Sequence, residues 1–301
     1  MDENEREVLD SDYDDYLTLD ALKEKLEELR NINFANLSKE EIAKIVFGYL
    51  KALPCLTAIY PPEKFNTFNF YRARLGVRPD IEDLSLIRTF SYPSAHLCSK
   101  NGRANLKNKS VFYCSNSALT SIMESKPNIG DIGYLSIWKA RTNRKMKAGL
   151  FLPEDLRVEN EWRVVCNDLY NHVRVEALKS HPQKFPLFHE TLRFISKLYL
   201  DEKEPYYLTS WISDQMLHGL TWKDFIVYPS YWNEGFSCNM AIHPNTVDNY
   251  LEFKKVIRFK LTNREGNKWI ISTGSYGEIQ NTNIEWKMAA PGEIDFSKLP
   301  G

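Results

Sequence analysis

The sequence has few of the features that mark secreted, metal-binding or membrane-spanning proteins. Its 301 residues include five cysteines, an odd number without a CxxC pair, which argues against a disulfide framework and a structural zinc site. The N-terminal segment has no apolar region of the signal-peptide type. No stretch approaches the run of about 18 apolar residues that reads as a transmembrane helix. We therefore expect a cytoplasmic protein without a membrane span or a metal site.

Several catalytic motifs are also missing. The sequence contains no GxSxG, no P-loop, no GxGxxG and no HExxH motif. It therefore lacks the common signatures of serine hydrolases, P-loop nucleoside triphosphatases, dinucleotide-binding folds and zinc proteases. The six histidines are scattered without the spacing of a metal site.

The charge is nearly balanced overall but unevenly distributed. The net charge is -1, yet residues 1–28 carry twelve acids and three bases, so the rest of the chain is basic. A basic body favours contact with anions such as phosphates. The acidic leader is either a solvated tail or a segment that lies across a basic cleft, and both interpretations stay open.

The local patterns predict an α+β protein. Thr18 or Asp20 can cap a first helix, and Ser38 with Glu41 forms a capping box for a second. Strand-like and helix-like segments then follow in irregular order, which argues against a doubly wound parallel sheet. Strands are expected near 68–74, 111–114, 132–140, 148–152, 162–166, 225–229, 256–261 and 268–272, and helices near 117–125, 188–200 and 209–218. We expect an acidic flexible leader at 1–17, a helical extension at 18–60, a main domain at 61–290 and a tail at 291–301.

Arg72 and Arg74 form the first group of candidate site residues. They alternate along a predicted strand and should therefore point to the same side. An arginine on a half-buried strand needs an anion, and its guanidinium fork suits a pyrophosphate or a carboxylate. An exposed strand face with an ordinary salt bridge is the alternative.

The second and third groups come from later in the chain. The loop 102–105 contains Arg103 and Asn105 and precedes a short strand with Tyr113 near its end. Ser117 caps the next helix, which carries Glu124 outside its apolar stripe. Further on, a strand ends at Ser230, and a polar loop leads into a short apolar strand with Asn239.

The order of these groups resembles the RES family, which is named for an arginine, a glutamate and a serine. The resemblance covers roughly residues 66–250, and the residues that carry it are Arg72, Arg103, Asn105, Tyr113, Glu124, Ser230 and Asn239. It implies a fold similar to ADP-ribosyltransferases, in which two small, mostly antiparallel sheets surround a cleft. The chain departs from the family pattern at Ala104, where an aromatic residue is usual.

The resemblance also implies a chemistry, in which NAD is cleaved at the nicotinamide–ribose bond by hydrolysis or phosphorolysis. Glu124 would hold a ribose hydroxyl and face the developing ribosyl cation, as carboxylates do in glycoside cleavage. Arg72 and Arg103 would hold the pyrophosphate, Tyr113 would stack against nicotinamide or ribose, and polar residues would orient the substrate or Arg72. Ser230 and Asn239 are those polar residues, and Asn105 is a further candidate for substrate binding.

Two other functions and several partners are left open. Transfer of ADP-ribose to a protein would use the same cleft, and a non-catalytic nucleotide-binding module would keep only the fold. Family members are often toxins that an antitoxin restrains by blocking the cleft. We therefore expect NAD and an antitoxin or immunity protein as partners, leave a homodimer open, and expect no membrane or direct nucleic-acid binding.

Overall fold

A computed structural model describes residues 18–50, 53–180, 182–219, 222–230, 235–265, 268–290 and 292–299. The acidic leader expected at 1–17 lies outside the described residues. So does Gly266, for which the sequence predicts a turn that joins the strands expected at 256–261 and 268–272 into a hairpin. Within the described residues the chain is mixed α+β, with ten strands in one sheet and eight α-helices. The predicted fold class is confirmed at this level.

The sheet contains strands from both ends of the described chain. Its order is β1-β5-β6-β7-β3-β2-β4-β8-β9-β10, and only β5 and β6 pair in parallel. The strands are β1 Leu56–Tyr60, β2 Asn69–Leu75, β3 Phe112–Ser115, β4 Ile132–Ala140, β5 Met146–Leu150, β6 Phe225–Pro229, β7 Cys238–Ile242, β8 Leu251–Glu265, β9 Lys268–Gln280 and β10 Asn283–Met288. Residues 56–60, which fall in the expected helical extension, thus form an edge strand beside β5.

The expectation of two small sheets is wrong, because all ten strands belong to one hydrogen-bonded sheet. The join between its halves is nevertheless narrow. Strands β2 and β3 are paired only at Tyr71 and Ser115, whereas β2 pairs with β4 along its whole length, from Asn69 to Leu75. The two strands therefore diverge within the sheet and leave a split between them.

Helices cover the sheet and connect its strands. Thr18 accepts a hydrogen bond from the Ala21 N–H, and the Ser38–Glu41 capping box is complete, so both predicted helix starts are confirmed. In the described part of the chain no helix is long and apolar enough to cross a membrane. The helices are α1 Leu19–Arg30, α2 Lys39–Tyr49, α3 Pro62–Phe65, α4 Ala118–Glu124, α5 Arg163–Ser180, α6 Phe185–Asp201, α7 Tyr207–His218 and α8 Pro244–Tyr250.

One predicted strand is a helix in the structure. Residues 162–166 contain two valines and a tryptophan and look strand-like locally, but Arg163–Ser180 forms α5. Cys166, Tyr170 and Ala177 are buried at helical spacing along it. These five residues are too few to show the helical periodicity of buried positions, which distinguishes a helix from a strand and becomes visible only over the longer segment.

The two faces of the sheet are packed differently. One face carries a continuous core that includes Phe70, Phe112 and Val227. The opposite face carries two separate hydrophobic clusters. Tyr228 packs in the cluster that includes residues of helices α1, α6 and α7. Tyr71 packs in the other cluster, which includes residues of α4. The second face is thus divided where β2 and β3 diverge, and this division creates room for a cleft.

Candidate active site

A cleft of about 270 Å³ opens at the split between β2 and β3. Residues of both strands line it, together with the loop before β3, the end of α4 and residues of β6 and β7. Five of the seven predicted site residues lie on its wall. The lining residues are Arg72, Ala73, Gly102, Arg103, Tyr113, Cys114, Ser121, Glu124, Ser125, Lys126, Tyr206, Tyr228 and Asn239.

Glu124 is the only carboxylate among these lining residues. It is the last residue of α4, a helix that begins where the Ser117 hydroxyl accepts a hydrogen bond from the Thr120 N–H. The Ser230 hydroxyl donates a hydrogen bond to Glu124 Oε1. Glu124 Oε2 makes no hydrogen bond to any described residue, so one carboxylate oxygen is held in place and the other is available to a ligand.

Ser230 supports the cleft from behind its wall. It follows the fully buried strand β6, and its own side chain has no solvent exposure. Its backbone N–H donates to the Ser237 carbonyl at 3.0 Å, which fixes the strand end. Ser230 and Glu124 are 106 residues apart in sequence. The sequence predicted that Ser230 orients the substrate or Arg72, whereas in the structure its hydroxyl contacts Glu124.

Arg72 lies in the split of the sheet. Its Nε donates to the Ser91 carbonyl at 3.0 Å, and its Nη1 donates to the Tyr113 carbonyl on β3 at 3.1 Å. No described carboxylate forms an ion pair with it. Burial, with a smaller contribution from the Arg74 charge, lowers the pKa of Arg72 to about 10. An anion placed beside this half-buried guanidinium would stabilise its charge.

Arg74, on the same strand, has a different environment. Its Nη2 lies 2.5 Å from Glu82, and its Nη1 donates to the Thr89 carbonyl at 2.6 Å. The sequence left an ordinary salt bridge open for both arginines, and this interpretation is correct for Arg74 alone.

The loop before β3 is tied to Tyr113. The Tyr113 hydroxyl accepts from the Ala104 N–H at 2.7 Å and donates to Asn105 Oδ1 at 2.9 Å. Gly102 has no room for a side chain, because a Cβ there would lie 2.4 Å from Asn105 Oδ1. Burial raises the pKa of Tyr113, so the phenol stays protonated and the loop stays attached.

Arg103 extends from this loop into the cleft. Its Nη1 donates to the Tyr199 carbonyl at 2.5 Å, and its guanidinium lies 4.7 Å from the centre of the Tyr206 ring. Like Arg72, it forms no ion pair with a described carboxylate. Two arginines without an acidic partner thus lie on the wall of the cleft that contains Glu124.

Asn105 and Asn239 have separate positions. Asn105 is buried behind Tyr113 and does not line the cleft, so its observed contact positions the loop. Asn239 lies on β7 opposite Tyr228 and lines the cleft. Its side-chain amide makes no hydrogen bond within the described residues, which leaves it available to a ligand.

The sequence did not indicate eight of the thirteen lining residues as site residues, among them Lys126, Tyr206 and Tyr228. Lys126 and Tyr206 have positive φ angles of 56° and 52°, an uncommon conformation for residues other than glycine. Tyr228 was part of a predicted apolar strand, but nothing local distinguished it from core residues. Lys126 follows Glu124 by two positions, and that proximity is the one signal that the sequence offered.

No protein-family model matches this chain, and no curated protein matches it. The resemblance to the RES family therefore stays a prediction. Among the described residues, no group of three or more His, Cys, Asp or Glu side chains is arranged to hold a metal ion.

Proposed function

We propose that this protein cleaves NAD at the nicotinamide–ribose bond, as a glycohydrolase or phosphorylase. One observation carries the proposal: the cleft combines the Glu124 carboxylate with Arg72 and Arg103, two guanidinium groups without an acidic partner among the described residues. A pyrophosphate needs the arginines, and a developing ribosyl cation needs the carboxylate.

The reaction requires little acid catalysis. The bond between ribose C1′ and nicotinamide N1 breaks, and its electron pair neutralises the departing pyridinium ring. Positive charge then builds on the ribose, in an oxocarbenium-like transition state of the kind found in glycoside cleavage. Water or phosphate bonds to C1′ and loses a proton, so no oxidant or metal is needed to balance the step.

The contacts of Glu124 suit this role. Since Ser230 donates to Oε1, the carboxylate is oriented before substrate arrives, and Oε2 can accept from a ribose hydroxyl or face the cation. Preorganised groups of this type are effective because they need no rearrangement during the reaction. Arg72 and Arg103 would hold the pyrophosphate, and Asn239 would donate or accept a hydrogen bond at the substrate.

The test is incubation of the purified protein with NAD, with and without phosphate, followed by identification of the products. Release of nicotinamide with ADP-ribose indicates hydrolysis, and ADP-ribose 1-phosphate indicates phosphorolysis. Label attached to protein would instead favour ADP-ribosyl transfer through the same cleft. No nicotinamide release under any of these conditions would contradict the proposal.

Glu124→Gln is the decisive variant. It removes the negative charge but keeps the shape, and we expect kcat to fall by about 100- to 1000-fold, the usual effect of losing a positioned electrostatic group. Glu63→Gln is the matched control, because Glu63 is exposed on α3, outside the cleft. Retention of more than about a tenth of wild-type kcat by Glu124→Gln would reject the role assigned to Glu124, since that loss is too small for such a group.

A further inference from the structure

A second and larger cavity, of about 860 Å³, shares Arg72 with the cleft. The segment 81–97 forms one side of it, and Trp138 and Phe253 of the continuous core form part of its wall. The first cleft is lined by Tyr228 from the opposite face of the sheet. The two cavities therefore lie on opposite faces of the sheet, and Arg72 at the split lines both.

The second cavity has both apolar and polar walls. Ile87, Leu97 and Trp138 provide apolar surface, and Thr89 and Ser94 provide hydroxyl groups. Four of its residues are large hydrophobic side chains exposed to solvent, an arrangement that often marks a binding site. They are Ile81, Leu86, Leu97 and Ile279.

Arg72 links the two cavities chemically. An arginine has five N–H donors, and the hydrogen bonds to the Ser91 and Tyr113 carbonyls use two of them. The remaining donors can bind an anion at the split. A ligand with a central pyrophosphate and a ring system at each end would place the charge at Arg72 and the rings on either side.

Size favours such a divided ligand. Pockets that enclose a small-molecule ligand usually measure about 300–1000 Å³. The first cleft, at about 270 Å³, falls below this range, whereas the second, at about 860 Å³, lies within it. The first cleft has room for one half of a dinucleotide, and the second has room for the other.

We propose that the second cavity binds the adenosine half of NAD, with the base against Leu97 and Trp138 and the phosphate at Arg72. This inference rests on the proposed function. It adds that the substrate must be a dinucleotide, since a nicotinamide mononucleotide would leave the second cavity empty. Ribose hydroxyls and the edge of the base match the hydroxyl groups of Thr89 and Ser94 on its wall.

The test measures binding of AMP by calorimetry, which does not depend on catalysis. Ser94 lines the cavity, and its side chain makes no helix-cap hydrogen bond, so Ser94→Trp should fill the space without removing a contact. We expect at least a tenfold loss of AMP affinity. His96→Trp is the matched control, because His96 lies in the 3-10 helix Ala95–Leu97 that directly follows Ser94 and is exposed outside the cavity. The AMP affinity of His96→Trp should equal that of the wild type.

A milder variant covers the case in which Ser94→Trp fails to fold. Leu97 is 66% exposed, so Leu97→Ser removes part of the apolar wall of the cavity with little effect on the hydrophobic core. AMP affinity should then fall by at least threefold. Unchanged AMP affinity in folded Ser94→Trp and Leu97→Ser, or no saturable AMP binding to the wild type, would overturn the inference.

The two proposals fail in different ways. If Glu124→Gln binds AMP normally but no form of the protein cleaves NAD, the second cavity still binds the nucleotide and the proposed reaction is wrong. If the wild type cleaves NAD but AMP does not bind, the reaction stands and the adenosine site is wrong. With both correct, Ser94→Trp raises KM for NAD at least tenfold, and its kcat stays close to that of the wild type.

Discussion

At the scale of single residues, two arginines of one strand show how context assigns a role. Arg72 and Arg74 have identical side chains. Because they lie two residues apart on β2, both side chains point to the same face of the sheet. Arg74 is neutralised by Glu82, whereas Arg72 donates only to backbone carbonyls. An unneutralised guanidinium in a cleft is suited to an anionic ligand, and a neutralised one holds the segment in place.

This contrast gives a prediction for lysine substitutions. Arg72→Lys keeps the charge but loses the planar fork, so the KM for NAD should rise by about tenfold or more, since a hydrogen bond to a charged group contributes about 1.5–3 kcal/mol. Arg193→Lys is the control and should leave KM unchanged, because Arg193 pairs with Glu190 on α6 and lines neither cavity. Steady-state kinetics measure KM, and thermal unfolding shows whether either variant is destabilised. Equal KM values for Arg72→Lys and the wild type would contradict the anion-binding role.

At the scale of secondary-structure elements, two histidines connect helices at a distance from the cleft. His218 ends α7, and His243 caps α8 by accepting from the Asn245 N–H through Nδ1. His243 Nε2 lies 3.1 Å from His218 Nδ1, so the proton of His243 is on Nε2. Burial lowers the pKa of both rings, and that of His243 falls to about 4 with a smaller contribution from the charge of His218.

Because the folded-state pKa of His243 lies below its unfolded value of about 6.5, the unfolded state binds the proton first as pH falls. Stability from the neutral pair is therefore complete above pH about 6.5 and declines between pH about 6.5 and 4. An asparagine side chain can also cap a helix but does not titrate, so His243→Asn should weaken the pH dependence over this window. Denaturant unfolding at several pH values measures the effect, and identical slopes for both proteins would exclude it.

At the scale of the whole molecule, a narrow join in the sheet creates the cleft. Strands β2 and β3 are paired at Tyr71 and Ser115 alone, but the core on one face runs across both halves. The halves are thus held together on that face, while the other face opens between two clusters. Residues on both sides of the opening then contribute to one cleft.

The proposed activity predicts a cellular effect for the complete protein. Expression in a bacterium should lower cellular NAD and stop growth, as expected of an unrestrained toxin, and Glu124→Gln should relieve both effects. NAD levels and growth curves at matched expression provide the measurement, with Glu63→Gln as the control that keeps both effects. Unchanged NAD and normal growth with soluble wild-type protein would count against an unrestrained toxin.

Local signals were sufficient for much of the secondary structure. The Thr18 cap, the Ser38–Glu41 capping box and the strand at 225–229 follow from neighbouring residues, because caps and apolar periodicity act over a few positions. The sequence failed at 162–166, where the deciding helical period extends to Ala177.

The candidate residues were also named from the sequence, but their arrangement was not. The single sheet, its split and the shared position of Arg72 depend on strand pairing between distant parts of the chain. Whether Arg72 or Arg74 meets a carboxylate depends on the loop that carries Glu82, which no local pattern fixes. By itself the sequence determined which groups are present and the elements that carry them; only the tertiary structure decided which groups meet, because long-range packing sets those distances.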